Sequence, residues 1–176
     1  MIRDLQKYPT ILVLTGASGA GKTTLIAKLN ELRTPGVTGI NCDRVTLDLP
    51  ENAEPSDRQA EVLRYWITKL GKEEIELAVL DTQIRPHVAR NVLDQAEVED
   101  FEIILVDCDP AIRNERLRGE RQQPELANPQ MDCWAAYLRG QADALGLRII
   151  DTSGVALDES SKTLEAIVRE HVPPHK

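Results

Sequence analysis

The residues from Gly16 to Thr23 match the pattern G-x-x-x-x-G-K-[ST] in full. Glycine at three of these positions allows a tight turn that aims successive backbone N–H groups at one anion. Lys22 supplies a positive charge for the β- and γ-phosphates of a nucleotide, and the Thr23 hydroxyl is suited to holding Mg²⁺. We therefore predict a Walker A phosphate-binding loop (P-loop) that binds ATP and Mg²⁺. The predicted nucleotide contacts in this loop are Gly16, Ala17, Ser18, Gly19, Ala20, Gly21, Lys22, Thr23 and Thr24.

A P-loop of this kind needs a second acidic group for the metal ion. Two apolar runs end in an aspartate, the first at Asp81 and the second at Asp107. We favour Asp81, because Asp107 runs directly into Cys108 and an arginine-rich helix. The Asp-Pro pair at 109–110 predicts the start of that helix, with Asp as the N-cap and Pro in the first turn. The alternative for Asp81 is an acceptor for loop N–H groups. Which of the two serves the metal is open from the sequence alone.

Short apolar runs alternate with helical patterns along the whole chain. The predicted strands are 11–14, 37–42, 77–80, 101–106 and 148–150, and the predicted helices include 22–32, 56–70, one from about 132, and 160–172. Alternation of this kind predicts an α/β fold with a five-stranded parallel sheet and helices on both faces. Ligands bind such sheets at the carboxyl ends of the strands. The candidate chemical residues follow the strands at just those ends.

Composition and charge exclude several classes of protein. The chain has 176 residues, 41% of them hydrophobic, which predicts one globular domain over residues 1–176. A net charge of -8 disfavours nucleic-acid binding, because that affinity depends on clustered Lys and Arg. The apolar run before Gly16 is interpreted as a strand and not a signal peptide, and no apolar stretch approaches the roughly 20 residues that span a bilayer. We expect a soluble, cytoplasmic protein, a monomer or homodimer, that does not bind membranes.

The order of these features resembles the small P-loop kinases, a branch that includes nucleoside-monophosphate, gluconate, shikimate and adenylylsulfate kinases. The features are the P-loop, an Asp-Arg pair at 43–44, a strand-ending Asp81, an arginine-rich helix, and Asp-Thr-Ser at 151–153. The resemblance implies a three-layer sandwich, an acceptor-binding segment at about 43–70, and an arginine-bearing lid at about 113–130. It extends from Ile11 to about Val172, although only the P-loop is sharply diagnostic.

The resemblance also implies roles for individual residues. Asp43 matches the position that holds the acceptor hydroxyl and accepts its proton, and Arg44 would bind an anionic group. Positioned guanidinium groups in a lid stabilise the charge on a transferring phosphoryl group. The predicted catalytic residues are Lys22, Asp43, Arg116, Arg118 and Arg121. The further contacts are Arg44, Gln83 and Arg85 for the acceptor or γ-phosphate, and Asp151, Thr152 and Ser153 beside the adenine.

Each of these roles has a structural alternative. Asp43 would instead be a helix-capping residue beside a surface arginine. The lid arginines would pair with Glu115 and Glu120 on a solvated helix face. Residues 151–153 would form a simple turn.

Three functions fit the sequence. The first is a kinase that transfers the γ-phosphate of ATP to a hydroxyl of a small-molecule acceptor. The second is a nucleotide or nucleoside-monophosphate kinase, which needs more than one cation in the acceptor segment; the candidates are Arg44, Arg58, Arg64 and Arg85. The third is a nucleotide-dependent regulatory ATPase or switch, although the sequence has no Asn-Lys-x-Asp segment to read guanine.

Overall fold

The computed structural model describes residues 7–154 and 156–172. In this part of the chain the strands are β1 (Thr10–Thr15), β2 (Val37–Asn41), β3 (Leu77–Asp81), β4 (Phe101–Asp107) and β5 (Arg148–Asp151). The helices are α1 (Lys22–Glu31), α2 (Pro55–Leu70), α3 (Pro86–Gln95), α4 (Pro110–Arg118), α5 (Pro129–Leu145) and α6 (Leu157–His171). Two 3₁₀ turns lie at Cys42–Arg44 and Pro124–Leu126.

The five strands form one parallel sheet in the order β2-β3-β1-β4-β5. The central strands β1 and β3 are buried along their whole length, which explains why they are continuous apolar runs. Side chains alternate between the faces, so Ile11 and Val13 pack towards α2 and α3, while Leu12 and Leu14 pack towards α1 and α6. Helix α5 covers β4 on the first of these faces. The predicted α/β sandwich with a five-stranded parallel sheet is confirmed.

Two helices begin three residues earlier than the sequence pattern predicted, and α2 begins one residue earlier. Helix α5 begins at Pro129 and not near Asp132, because the Asn128 side chain accepts a hydrogen bond from the Met131 N–H at 2.8 Å and caps the first turn. Helix α6 begins at Leu157 and not at Ser160. Acidic residues in its first turn, Asp158 and Glu159, suit the positive end of a helix.

Helix α4 lies at the carboxyl end of the sheet. Asp109 caps it by accepting hydrogen bonds from the N–H groups of Ala111 at 2.8 Å and Ile112 at 3.4 Å, and Pro110 occupies the first helical position. The predicted helix start at this Asp-Pro pair is confirmed. Residues 119–128 then connect α4 to α5. None of the helices in the described ranges is long and apolar enough to cross a membrane.

Candidate functional site

The predicted phosphate-binding loop, residues 16–23, joins β1 to α1 at the carboxyl end of the sheet. Gly19 has a φ of 82°, and a Cβ there would lie 2.9 Å from the Cγ atoms of Arg113 and Leu117. A Cβ at Gly16 would lie 2.3 Å from the carbonyl oxygen of Val106. Only glycine fits at these two positions, because the loop is held against β4 and α4. No side chain caps the first turn of α1, so its N-terminal end faces the loop uncapped, which suits an anion.

Lys22 lies inside the curve of this loop and is 6% exposed. Its Nζ donates hydrogen bonds to the carbonyl oxygens of Gly16 at 2.7 Å and Ala17 at 3.2 Å. Burial lowers the pKa of the Lys22 ammonium group, and the negative charges of Asp81 and Asp43 oppose that shift. A buried cation held only by carbonyl dipoles is well suited to exchange those contacts for phosphate oxygens.

Thr23 and Asp81 are paired at the end of β3. The Thr23 hydroxyl donates a hydrogen bond to Asp81 Oδ2 at 2.7 Å, and Asp81 is 1% exposed. Burial raises the pKa of the Asp81 carboxyl group, although the charge of Lys22 opposes the shift. Asp107 lies elsewhere, since its carboxylate accepts hydrogen bonds from Arg139 at 3.0 Å and from the Cys108 N–H at 2.9 Å. Of the two aspartates, it is Asp81 that adjoins Thr23.

These residues fit Mg²⁺ bound with a nucleotide. Within the described ranges no group of three or more His, Cys, Asp or Glu side chains is placed to hold a metal. Mg²⁺ typically takes one or two protein oxygens and completes its shell with phosphate oxygens and water. One hydroxyl and one buried carboxylate at the mouth of a phosphate loop meet that requirement.

Asp43 and Arg121 belong to different segments, and the charges of both act on Lys22 of the loop. Asp43 lies in the 3₁₀ turn after β2. Its N–H donates to Asn41 Oδ1 at 3.0 Å, and its side chain is exposed. Burial lowers the pKa of Lys22. In addition, the negative charge of Asp43 raises this pKa and the positive charge of Arg121 lowers it. Among the described residues neither side chain has a hydrogen-bond or ion-pair partner. Arg44, next to Asp43, is likewise exposed and unpaired within the described part of the chain.

The arginines of the predicted lid occupy four different environments. Arg113 is 1% exposed; its guanidinium forms an ion pair with Asp132 and donates to the Cys108 carbonyl oxygen at 3.3 Å. Arg116 donates to Thr152, at 3.0 Å to Oγ1 and 2.8 Å to the carbonyl oxygen. Arg118 is exposed at the end of α4.

No arginine of this segment forms the alternative ion pairs with Glu115 or Glu120 among the described residues. The predicted lid also overlaps α4, so that only 119–128 lies between helices. Arg121, which follows α4, is the member of the set whose charge acts on Lys22 and Asp81.

The three residues of the Asp-Thr-Ser segment, which begins at the last residue of β5, also have different surroundings. Thr152 is buried and its hydroxyl donates to the Ala20 carbonyl oxygen at 2.8 Å, which ties this loop to the phosphate loop. Asp151 Oδ1 accepts from the Ser153 N–H at 2.7 Å, and hydrogen bonds from Ser153 lower the pKa of Asp151. Ser153 Oγ accepts from the Asp109 N–H at 2.6 Å. Only Thr152 of the three therefore contacts the phosphate loop.

A polar cluster follows β3 and contacts Ser18 of the loop. The Ser18 hydroxyl donates to Gln83 Oε1 at 3.4 Å, and Gln59 of α2 donates through Nε2 to the Gln83 carbonyl oxygen at 3.1 Å. Arg85 donates through Nη1 to Gln59 Oε1 at 3.0 Å and lies over the ring of Trp134, with its Cζ 5.0 Å from the ring centre. The predicted contact Gln83 thus lies beside Ser18, and Gln59 links it to the second predicted contact, Arg85.

Sequence reasoning did not find three members of this region. Gln59 had no local signal, because a glutamine within an amphipathic helix looks like any solvated residue. Trp134 is in helical register with the core residues Leu138 and Ala142 and packs against them, but the sequence does not indicate that it is half-buried and stacked on Tyr137, with ring centres 5.5 Å apart. Asp132 had no signal for its pairing with Arg113, because the two are far apart in sequence.

No protein-family model matches this sequence, and no curated protein sequence matches it. Solved structures do match. The gluconokinase from Sinorhizobium meliloti 1021 has 18% identity and a TM-score of 0.60, over 93% of this chain and 94% of that one. Shikimate kinase from Acinetobacter baumannii, in complex with shikimate, has 18% identity and a TM-score of 0.57, over 96% and 97%. The Mycobacterium tuberculosis APS kinase, in complex with AMPPNP and APS, has 18% identity and a TM-score of 0.54, over 92% and 98%.

Proposed function

From this premise, that the chain has the fold of the small P-loop kinases, we propose that it is an ATP-dependent phosphotransferase. It transfers the γ-phosphate of ATP to a hydroxyl group of a small-molecule acceptor. The observation that carries the proposal is the buried Lys22 beside the Thr23–Asp81 pair in the phosphate loop, with Asp43 and Arg121 near enough for their charges to act on Lys22. The structural neighbours support this proposal, because they are named as kinases.

Each residue has a physical role in this proposal. Lys22 and the loop N–H groups bind the β- and γ-phosphates, and Thr23 and Asp81 hold Mg²⁺, which when bound neutralises charge on the phosphate oxygens. Asp43 orients the acceptor hydroxyl and accepts its proton. Arg121 stabilises the negative charge that spreads over the transferring phosphoryl group.

The nucleotide base would lie on the other side of the loop. Arg116 is held flat by two hydrogen bonds to Thr152, and Thr152 is tied to Ala20. A guanidinium plane fixed in this way is suited to stacking on adenine. We therefore assign Arg116 to the base and Arg121 to the γ-phosphate, which leaves Arg118 as the least engaged of the three predicted catalytic arginines.

A nucleoside monophosphate is a less suitable acceptor than a hydroxylated metabolite. Arg58 donates three hydrogen bonds to backbone carbonyls, those of Pro50, Glu51 and Ala53. Arg64 is engaged by Glu61 at 2.7 Å and Gln95 at 3.3 Å. Two of the four candidate cations for a phosphate group are therefore committed to other contacts. Cytoplasmic location, monomer or homodimer assembly, and the lack of nucleic-acid binding stay predictions.

The test is acceptor-dependent ADP release from Mg-ATP, measured with a panel of hydroxylated metabolites. The Asp43→Asn variant should lower turnover at least tenfold, because general-base contributions run to about 10²–10⁴-fold, while ATP affinity stays nearly the same. Asp48→Asn, a change of another exposed carboxylate in the same loop, is the matched control and should keep full turnover.

ADP release that no acceptor raises above background would count against the kinase and favour a regulatory ATPase. Loss of ATP binding in the Asp43→Asn variant would instead show that this carboxylate serves the metal or the fold and not the acceptor.

A further inference from the structure

Thr152 directly follows the last residue of β5 and is 1% exposed. Its hydroxyl donates a hydrogen bond to the Ala20 carbonyl oxygen at 2.8 Å, lies 3.2 Å from the Asp107 carbonyl oxygen, and accepts from Arg116 Nη1 at 3.0 Å. Its backbone N–H donates to the Asp107 carbonyl oxygen at 2.9 Å, and its carbonyl oxygen accepts from Arg116 Nη2 at 2.8 Å. The end of β4 and helix α4 therefore fix Thr152 through contacts that do not involve the phosphate loop.

The bond to Ala20 links Thr152 to the backbone of the phosphate loop. Among the described residues, Thr152 is the only one outside residues 16–23 whose side chain hydrogen-bonds to the backbone of this loop. Its Cγ2 also packs beside Gly21, where an added Cβ would lie 3.6 Å away. Gly21 has a φ of 103°, in the region that favours glycine. Thr152 thus supports the loop at the point where its backbone turns into α1.

The orientation of the peptide unit between Ala20 and Gly21 follows from this bond. A trans peptide unit is planar, so its C=O and N–H groups point in opposite directions. Because the Ala20 C=O is directed at the buried Thr152 hydroxyl, the Gly21 N–H is directed away from that hydroxyl. This N–H has no hydrogen-bond partner in the described part of the chain, and it belongs to the N-terminal end of α1, which no side chain caps. An anion bound by the loop can therefore accept a hydrogen bond from it.

We infer that Thr152 is a positioning residue for the phosphates of the nucleotide. Its hydroxyl holds the Ala20 carbonyl group outward and so presents the Gly21 N–H to a phosphate oxygen before the nucleotide arrives. A donor that is already oriented costs little reorganisation when it binds. The same hydroxyl accepts a bond from Arg116, which we assigned to the base, so one buried group serves both parts of the ligand. The inference rests on the proposed function, because it concerns the same nucleotide site.

The experiment compares a ligand that has a base with one that has none. Calorimetry measures the affinities of Mg-ADP and of inorganic tripolyphosphate with Mg²⁺, and neither measurement needs an acceptor. Thr152→Val keeps the size and shape of the side chain but removes its hydroxyl. We expect both ligands to bind at least about tenfold more weakly to this variant, because the Gly21 N–H loses its fixed orientation and a buried carbonyl group loses its partner.

Further variants separate positioning from a loss of folding. Thr152→Ser keeps the hydroxyl and removes only a methyl group, so both affinities should stay within about threefold of those of the unsubstituted protein. Thr163→Val removes the hydroxyl of an exposed threonine on α6, which donates to the Glu159 carbonyl oxygen at 3.2 Å, and should leave both affinities unchanged. Melting temperatures show whether each variant is folded during calorimetry. If Thr152→Val is not folded, Thr152→Ala removes the same hydroxyl without a second methyl group and replaces it, with the same expected result.

NMR tests the inference without a substitution. In the unsubstituted protein the Gly21 amide proton should shift downfield when tripolyphosphate binds, because its N–H gains a charged acceptor. The amide of Gly146, which donates to carbonyl oxygens of α5, is the reference and should not move.

Unchanged affinity of Thr152→Val for tripolyphosphate would overturn the inference, because the residue would then act on the base alone or not at all. Weak binding by Thr152→Ser would also overturn it, since the packing of the methyl group and not the hydroxyl would then matter. A Gly21 amide that does not respond to tripolyphosphate would show that this N–H is not a phosphate donor. If the unsubstituted protein binds neither ligand, the proposed function itself fails, so the two failures are distinguishable.

Discussion

The phosphate loop and helix α4 are in direct contact, but they differ in how residue type relates to role. In the loop every constrained residue is constrained for one reason, which is that a backbone must wrap an anion. In and just after α4 four arginines of the same type have four different environments. Arg113 is buried in an ion pair, Arg116 binds Thr152, Arg118 is exposed, and Arg121 acts on Lys22.

The difference shows that backbone-based sites and side-chain-based sites carry information differently. A loop that binds through N–H groups needs particular φ values, and those restrict the residue types. A guanidinium at the end of a long side chain binds whatever the fold brings near it. Arg113 illustrates the point, because its aliphatic carbons support Gly19 while its charged end binds Asp132 on another helix.

The largest expected effect lies in the loop. Lys22→Ala should lower phosphoryl transfer by about 10³-fold or more and weaken ATP binding, because no other side chain can take its place between the phosphates. Turnover and ATP affinity are measured in parallel, and the melting temperature should change little. Lys28→Ala, on the outer face of the same helix and paired with Asp158, is the control and should retain turnover. Substantial turnover by Lys22→Ala would contradict the assigned role.

The second prediction separates two arginines of equal charge. Arg121→Ala should lower kcat by about 10²-fold, since it removes a cation from the place where charge develops. Arg118→Ala, a change only three residues away, should have a much smaller effect. Single-turnover rates at saturating ATP provide the comparison. Equal losses in the two variants would show that the charge of the whole segment matters and not the position of Arg121.

The third prediction concerns stability and not turnover. Arg113→Met keeps the methylene carbons beside Gly19 but removes the ion pair with Asp132 and the bond to Cys108. We expect a loss of about 1–3 kcal/mol in the free energy of unfolding, measured by denaturant titration. Arg118→Met is the matched control and should change that free energy by less than about 0.5 kcal/mol. A loss no larger than that of the control would show that the buried pair contributes nothing to folding.

The smallest expected effect is a pH dependence set by the loop. Burial raises the pKa of Asp81 above its usual 3.8. As the pH is lowered, metal-dependent ATP affinity should therefore fall severalfold at a higher pH than that at which an exposed aspartate takes up its proton. Burial lowers the pKa of Lys22 below 10.5, so affinity should also fall on the alkaline side before an exposed lysine would lose its proton. Calorimetry across pH with and without Mg²⁺ measures both limbs. Asp81→Asn serves as the baseline for the nucleotide's own titration, and an acid limb that persists in this variant would assign it to another group.

Much of the fold could be predicted from the sequence because its signals are local. Continuous apolar runs predicted the buried parallel strands, and the Asp-Pro pair at 109–110 predicted the start of α4. The start of α5 was misplaced because Asn128 acts through a cap that lies outside the apolar pattern. The preference for Asp81 over Asp107 as the metal ligand stays a prediction; both aspartates end a strand, and the structure adds that Asp81 is the one bonded to Thr23.

The sequence by itself therefore determined the parallel sheet, and it predicted the phosphate loop and the set of candidate side chains. Each of these depends on backbone conformation or hydrophobic period over a few residues. Only the tertiary structure decided which partners those side chains have. It paired Thr23 with Asp81, Arg113 with Asp132, and Arg85 with Gln59 and Trp134. Each pair joins segments that are separate in the chain and that meet only when the helices pack against the sheet and its strands align.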